Sequence, residues 1–305
     1  MRMYNHNSNL AGEVNTYACR VLWQGGIEWS SIIFSMNAFC YPSHLTYHNL
    51  GVTRIRCGCI IPVGHSRFIS FRINLHRARY FLNKANSKKG NQRNTLCALA
   101  DCAYEMQEYD KAYAYYKEAS DIAGEDHYIQ WKKSELLFLM KRYTDAYNEL
   151  DILRKVLKDS IYLALCCVTQ GYCLLKEASC AHLNKCFIDN VINALINDSA
   201  ENSNSDILWE LYIDAITLFY VSGDFDNVLL CYIKIGMPEA LCSEEMKMVM
   251  NAYKSAGDEV KKKIDNLGFK FDSGSEIVND QELQIQISRF TPVNRWVENL
   301  LICSE

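Results

Sequence analysis

Apolar and polar positions along this chain follow the period of a helix, and in one stretch the whole pattern recurs. The run NTLCALADCAYEMQEYDKAYAYYKEASDIAGED, starting at Asn94, is followed by HYIQWKKSELLFLMKRYTDAYNELDIL. Met106, Tyr109, Ala112 and Tyr113 return as Met140, Tyr143, Ala146 and Tyr147, each 34 residues on. A period of that length is the mark of a helical-hairpin repeat. The register also extends backwards. Ala78, Leu82 and Ala85 occupy one helical face at i, i+4 and i+7, and stand 34 residues before Ala112, Tyr116 and Ala119. Those three are followed in step by Ala146, Leu150 and Leu153.

The residue types at these positions have a physical reason. Two antiparallel helices of about a dozen residues cannot bury their apolar faces alone, so successive hairpins stack into one continuous core. Small side chains are needed where helices approach closely, the role assigned to Ala100, Ala112, Ala119 and Ala146. Tyr109, Tyr116, Tyr143 and Leu150 fill the space between hairpins. The pattern predicts an all-α solenoid of antiparallel helical hairpins, with an irregular N-terminal segment.

In the first full unit, 93–126, helix A is expected from Thr95 to Met106, a turn at Gln107-Glu108, and helix B from Tyr109 to Ile122, stopped by Gly124. The second unit spans 127–160. An earlier unit has its first helix interrupted by Pro62 and Gly64, so a half repeat is expected there, followed by a polar loop from Ser87 to Asn94. Past Leu153 the register loosens. Helices are expected over Ile161–Lys176, with Gly171 at a small-residue position, and around His182–Ile196, before a polar linker at 198–206. A hairpin follows within 207–238, from Ile207 to Tyr220 and Asp224 to Ile235, joined by Ser222-Gly223. Phe225, Val228 and Tyr232 take its aromatic, small and large positions. Ser243–Ala256 reads as an amphipathic helix started by Ser243 with Glu245 nearby and ended by Gly257, with Asp258–Leu267 as a shorter charged partner. Residues 268–288 alternate weakly, and Pro292–Cys303 suggests a last helix capping the stack. The expected organisation is therefore 1–60 irregular, 61–270 helical repeats, and 271–305 a tail with a capping helix.

Charge divides the chain. Between Glu28 and Asp101 there is no acidic residue but ten Lys or Arg, whereas residues 101–305 carry 20 basic and 34 acidic side chains. A basic head of this kind is able to contact nucleic acid or an anionic surface, but no aromatic platform or recognisable module accompanies it, which disfavours nucleic acid. An acid-free stretch is also what a misassigned start or translated non-coding sequence gives. Fourteen cysteines are irregularly spaced, and Cys97, Cys102, Cys166, Cys167 and Cys173 fall inside amphipathic helices, where a thiol packs as a small apolar group. The N-terminal MRMYNHNSNLAGEV has no apolar core of a secretory signal. The longest apolar run, Ile161–Leu175, is short of the roughly 20 residues that a membrane span needs. These features predict free thiols and a cytoplasmic or nuclear protein, with no membrane partner.

No phosphate-binding glycine loop or zinc-hydrolase motif occurs. Cys57-Gly58-Cys59 with His65 lacks a second ligand pair at zinc-site spacing, and Cys180, His182 and Cys186 read as helical packing or surface residues. Glu244-Glu245 and Lys261-Lys262-Lys263 read as solvated faces. The expectation is no enzyme, no metal and no cofactor.

The pattern resembles the tetratricopeptide repeat. That family's small residue at position eight matches Ala100, its aromatic at seventeen Tyr109, and positions twenty, twenty-four and twenty-seven Ala112, Tyr116 and Ala119. The second unit matches with Ser134, Tyr143, Ala146 and Leu150, and departs with Leu153. The family's tryptophan at position four is Leu96 and then Gln130, and its late proline is absent. The resemblance implies a right-handed superhelical solenoid with a concave groove lined by first helices, here displaying Asn94, Cys97, Asp101, Tyr104 and Glu105, then Tyr128, Trp131, Glu135, Phe138 and Leu139. It implies a protein-binding scaffold with other proteins, other repeat subunits or itself as partners. Co-chaperones of the family clamp the C-terminal carboxylate of heat-shock chaperones with Lys and Asn. Cys97 and Asp101 stand at the matching positions, and Asp101 would repel a carboxylate, so that partner is disfavoured. Asn94–Tyr172 is further similar to the early repeats of scaffold subunits of the anaphase-promoting complex, particularly subunit seven, which would make the chain a non-catalytic arm of a ubiquitin ligase in the cell cycle. The alternative is a repeat adaptor in transport or RNA processing whose basic N-terminal region touches nucleic acid.

Overall fold

A computed structural model describes residues 13–14, 16–21, 27–40, 42–59, 65–89, 92–124, 126–157, 160–177, 205–236, 241–268 and 278–292. Every regular element among the described residues is an α-helix. Contacts divide the chain into two units, with the boundary between Leu136 and Leu137.

The first unit contains α1 (Ile27–Cys40), α2 (His44–Cys59), α3 (His65–Lys88), α4 (Arg93–Glu105), α5 (Tyr109–Ala123) and the start of α6 (His127–Leu139). Neighbours in sequence are neighbours in space, with α1 on α2, α2 on α3, α3 on α4 and α4 on α5. Val52, Leu75, Ala78, Leu82, Ala98, Leu99 and Cys102 form one core cluster, and Ala18, Cys19, Phe34, Ala38 and Leu50 another. The half repeat expected before Arg93 is a full hairpin, α2 with α3. Gly51 permits its close approach, because a Cβ there would lie 2.6 Å from Leu82 Cγ.

The N-terminal stretch expected to be irregular is helical over Ile27–Cys40 and His44–Cys59. Periodicity missed these helices for a physical reason. In α1, Phe34 and Ala38 are buried while Trp29, Ile32, Met36 and Phe39 are exposed, so apolar residues occupy opposite faces and no single stripe stands out.

At the entrance to α6 one aspartate serves two purposes. Asp126 Oδ1 accepts from the backbone N–H groups of Tyr128 and Ile129 at 3.1 and 3.2 Å, as an N-cap does. Its Oδ2 receives the Arg93 guanidinium, with Nε at 2.8 Å, which ties the start of α4 to the start of α6.

The second unit, from Leu137, contains α7 (Tyr143–Val156), α8 (Ser160–Lys176), α9 (Ser205–Ser222), α10 (Phe225–Ile235), α11 (Ser243–Ser255), α12 (Asp258–Asn266) and α13 (Asp280–Arg289). Pairings run α7 with α8, α8 with α9, α9 with α10, and α10 with both α11 and α12. The helix expected around His182–Ile196, Pro238, and the capping helix at Pro292–Cys303, apart from Pro292 itself, lie outside the described residues. The last described helix, α13, precedes the stretch in which a capping helix is expected. Asn279 caps it by accepting from Glu282 N at 2.9 Å, while Glu282 Oε2 accepts from Asn279 N at 3.1 Å. This reciprocal capping box starts a helix inside a stretch that the alternation read as weak. The cap of α11 likewise sits one residue before Ser243, where Glu245 Oε2 accepts from Cys242 N at 2.9 Å.

The repeat is visible in the turns. Gln107 and Lys141 adopt φ of 61° and 60°, and Gly223 has 76°. In each turn the next residue donates five residues back: Glu108 N to Ala103 O at 2.9 Å, Arg142 N to Leu137 O at 2.9 Å, and Asp224 N to Phe219 O at 2.9 Å. These are left-handed helix stops of the Schellman kind, where glycine is the favoured residue. The same hairpins share an aromatic pair across the turn: Tyr104 with Tyr109, Phe138 with Tyr143, and Tyr220 with Phe225, with ring centroids 5.9, 5.2 and 5.9 Å apart. Two of the three turns hold a side chain in a left-handed conformation that costs it energy. Gln107→Gly and Lys141→Gly are each expected to stabilise the chain by about 0.5–1 kcal/mol, and Gly223→Ala to destabilise it by a similar amount, read by thermal denaturation.

Candidate functional site

The positions that the repeat pattern marks as packing residues are placed in two groups. Ala78, Leu82, Ala85, Ala100, Ala112, Tyr116, Ala119, Ala146, Leu150, Val228 and Tyr232 are buried, while Tyr109, Tyr143 and Phe225 are half-buried beside their turns.

The groove candidates differ from an open concave surface. Cys97, Trp131, Glu135 and Phe138 are buried, and so is Tyr128, whereas Asn94, Asp101, Tyr104 and Glu105 are half-buried. Cys97 and Trp131 are equivalent positions 34 residues apart, and both have no exposed surface. They belong to the core, because the inner face of a first helix is wide enough to bury one edge of its stripe and expose the other.

Between α4 and α6 the structure gathers a polar cluster. Lys132 Nζ donates to Glu135 Oε2 at 3.1 Å, with both side chains nearly or wholly buried. The same ammonium lies 5.3 Å from the centre of the Tyr104 ring and 6.0 Å from that of Tyr128. Tyr116 donates its hydroxyl to Asp101 and meets the Tyr128 ring edge-on at 6.4 Å. Burial pushes the Asp101 carboxyl above its ordinary value, with Glu135 adding to the rise and Lys132 and the Tyr116 hydroxyl opposing it. Glu105 is raised by burial and by Asp101. The cluster is acidic, which suits it to a basic group and not to a carboxylate.

A carboxyl with a raised native pKa binds its proton more tightly than the unfolded chain does. Stability attributable to it is therefore present at low pH and falls as pH rises from the ordinary carboxylate range toward the native value. Asp101→Asn keeps an acceptor for Tyr116 and removes that charge. Its melting temperature is expected to exceed wild type at pH 7, with the difference closing toward pH 4, in a pH series of thermal melts.

The second unit carries a different arrangement on its first helices. The Phe290 ring stacks on Tyr172, with centroids 3.7 Å apart and planes at 4°, and meets Phe138 edge-on at 5.6 Å. Lys176 Nζ lies 4.9 Å from the centre of the Phe138 ring and donates to the backbone oxygens of Ser288 and Phe290 at 3.3 and 3.2 Å. Burial lowers the Lys176 pKa, with Lys141 adding to the effect. Phe138 is thus covered by the chain's own residue.

Two surfaces were missed by the sequence reading. On α1, Trp29, Ile32, Met36 and Phe39 are 69, 50, 65 and 90% exposed; they lie at i, i+3, i+7 and i+10, a single stripe whose spacing is readable once a helix is known. Around α2 and α3, an open cleft is lined by Arg54, Ile73, His76, Arg77, Tyr80 and Phe81. Lys84 Nζ sits 4.8 Å from the centre of the Tyr80 ring and 5.4 Å from that of Tyr47. The basic run therefore does have aromatic neighbours, one of them brought in from α2 by the fold.

Burial pushes the Cys102 thiol up to about 12 and the Cys167 thiol up to about 11, and raises Cys166, Cys173 and Cys231 as well; such thiols are poor nucleophiles. Among the described residues no group of three His, Cys, Asp or Glu is placed to hold a metal ion. The side chains of Cys57, Cys59 and His65, and all of Cys180, His182 and Cys186, lie outside what is described. No described helix is long and apolar enough to cross a membrane.

A scan against protein-family models finds no match, and a search of curated proteins finds none either. Solved structures do match. PilF of Pseudomonas aeruginosa is similar at a TM-score of 0.54 and 15% identity, covering 75% of this chain and 92% of that one. A tetratricopeptide repeat protein from Parabacteroides merdae is similar at a TM-score of 0.51 and 14% identity, covering 91% of this chain and 97% of that one. At such identities the likeness is one of fold, and the fold is an all-α stack of helical hairpins of the tetratricopeptide kind.

Proposed function

We propose that this chain is a non-catalytic scaffold for protein–protein interaction. The observation that carries the reading is the stripe of Trp29, Ile32, Met36 and Phe39, exposed on one face of α1. Contiguous exposed aromatic and aliphatic side chains on a surface helix mark a face that another protein covers, and stacked hairpins present such faces without moving. The finer proposal is a subunit of a multi-protein assembly, packing against other repeat subunits or a second copy. The resemblance of Asn94–Tyr172 points to the anaphase-promoting complex, a ubiquitin ligase of the cell cycle.

Affinity purification of the tagged full chain, followed by mass spectrometry, tests both levels. Stable recovery of repeat-containing subunits supports the scaffold, and recovery of the other subunits of that ligase supports the finer reading. Trp29→Asp with Phe39→Asp is expected to release the partners while leaving the melting temperature within a few degrees. Recovery of the bait alone would sink the proposal.

A second reading, a repeat adaptor whose basic end touches nucleic acid, is favoured by the cleft at Arg54, Arg77 and Tyr80 with Lys84 above its rings. Retention on single-stranded nucleic acid that falls with salt and is lost on neutralising Arg54 and Arg77 would support it. Unchanged retention after neutralisation would remove it.

A further inference from the structure

We propose that Phe138, Tyr172 and Lys176 form a peptide-docking site, and that the chain's own residues 279–290 occupy it as a built-in ligand. The inference deepens the scaffold reading and rests on it. The ligand the site takes is a short acidic-headed helix ending in an aromatic residue, with the last backbone carbonyls free to accept from a lysine.

Three observations carry this. First, the place is that of a groove. The principal contacts of α13 are with α8, α9 and α11, which occupy the first-helix position of their repeats, and Phe290 lies on Phe138 and Tyr172, equivalent first-helix residues 34 apart. Second, the geometry is that of recognition. One aromatic ring is stacked and edged by two others, and one ammonium accepts nothing but donates to two carbonyls on the turn that presents the ring. Third, α13 is attached as a ligand is and not as a core helix is. Of its ten residues only Gln286 and Ile287 are buried, and Ile285 is left 38% exposed. Besides Phe290 and the buried Ile287, polar contacts hold it: Lys247 Nζ to Glu282 Oε1 at 2.6 Å, Gln286 Nε2 to Cys242 Sγ at 3.1 Å, and Arg289 to Glu244 at 3.9 Å. An anchor in a pocket ringed by polar contacts is the composition of a reversible interface. A partner segment with the same chemistry would therefore compete for the site, and binding it would release 279–290.

The test is a titration of a fluorescein-labelled peptide of residues 278–292 with the full chain, followed by anisotropy. In the wild-type chain the tethered copy competes at an effective concentration on the order of millimolar. The Phe290→Ala chain, its site vacated, is expected to bind the peptide at least about tenfold more tightly than wild type. Adding Tyr172→Ala to that chain should abolish the gain, and a peptide carrying Phe290→Ala should not bind. Lys247→Glu loosens the segment through its ion pair and leaves the three site residues in place. Paired with a peptide carrying Glu282→Lys, it gives an independent reading should Phe290→Ala lose its helical circular dichroism. Equal affinity in wild-type and released chains, or no binding by any of them, overturns the docking site. Either result leaves the scaffold reading standing, because that is decided by the α1 stripe and co-purification.

Discussion

Trp131→Ala is expected to cost about 3–5 kcal/mol of stability, the range for deleting a buried large aromatic side chain. The indole is fully enclosed. The expectation separates two accounts of one residue. If Trp131 lined an open groove, as the repeat pattern suggests, alanine would weaken partner binding and leave stability within about 0.5 kcal/mol of wild type. Denaturation followed by circular dichroism decides between them. A melting temperature within two degrees of wild type would show that the side chain is not core. Trp131→Phe, which keeps most of the apolar volume, should lose distinctly less than alanine.

Gly171→Val is expected to destabilise the second unit by about 1–3 kcal/mol, as overpacking of a close helix contact does. A Cβ at Gly171 would meet Leu218 Cδ2 at 2.8 Å and Cδ1 at 2.9 Å, and Leu218 is itself fully buried on α9. Helix propensity favours valine over glycine by less than about 1 kcal/mol, so a net loss must come from the contact between α8 and α9. A double-mutant cycle makes that explicit. Leu218→Ala alone should cost stability by leaving a cavity, and in the Gly171→Val background it should cost much less or restore some. Additive losses would show that the two residues are not in contact. Repeat stacks need not unfold in one step, so the melt is best read by a probe in the second unit.

Much of this structure was legible because the physics that produces it is local and repeated. Ala112, Tyr116 and Ala119 face inwards for the same reason that Ala146, Leu150 and Leu153 do, since each hairpin must present the same face to its neighbour. Gly171, Phe225, Val228 and Tyr232 could be placed in that scheme without coordinates. The helix ends at Gly124 and Gly223 follow from the one residue that takes a positive φ freely. Less was legible where a helix is apolar on two sides, as in α1, or where a capping box and not periodicity starts it, as in α13.

The candidate sites were the least readable part. Tyr104, Asp101 and Glu105 were marked as groove residues by their repeat positions, and the structure gathers them with Lys132 and Glu135 into a half-buried acidic cluster. Phe138 was marked in the same way, yet its exposure depends on Phe290, a residue 152 positions further along. No pattern in α6 contains that information.

By itself, then, the sequence determined the hairpin repeat, its 34-residue period and the identity of the small and large packing positions, because these depend on spacing within one helix and its neighbour. Only the tertiary structure decided which face of each first helix is open. Burial is set by whatever segment comes to lie on that face, and here part of it is covered by the chain itself, through contacts between residues that no local rule connects.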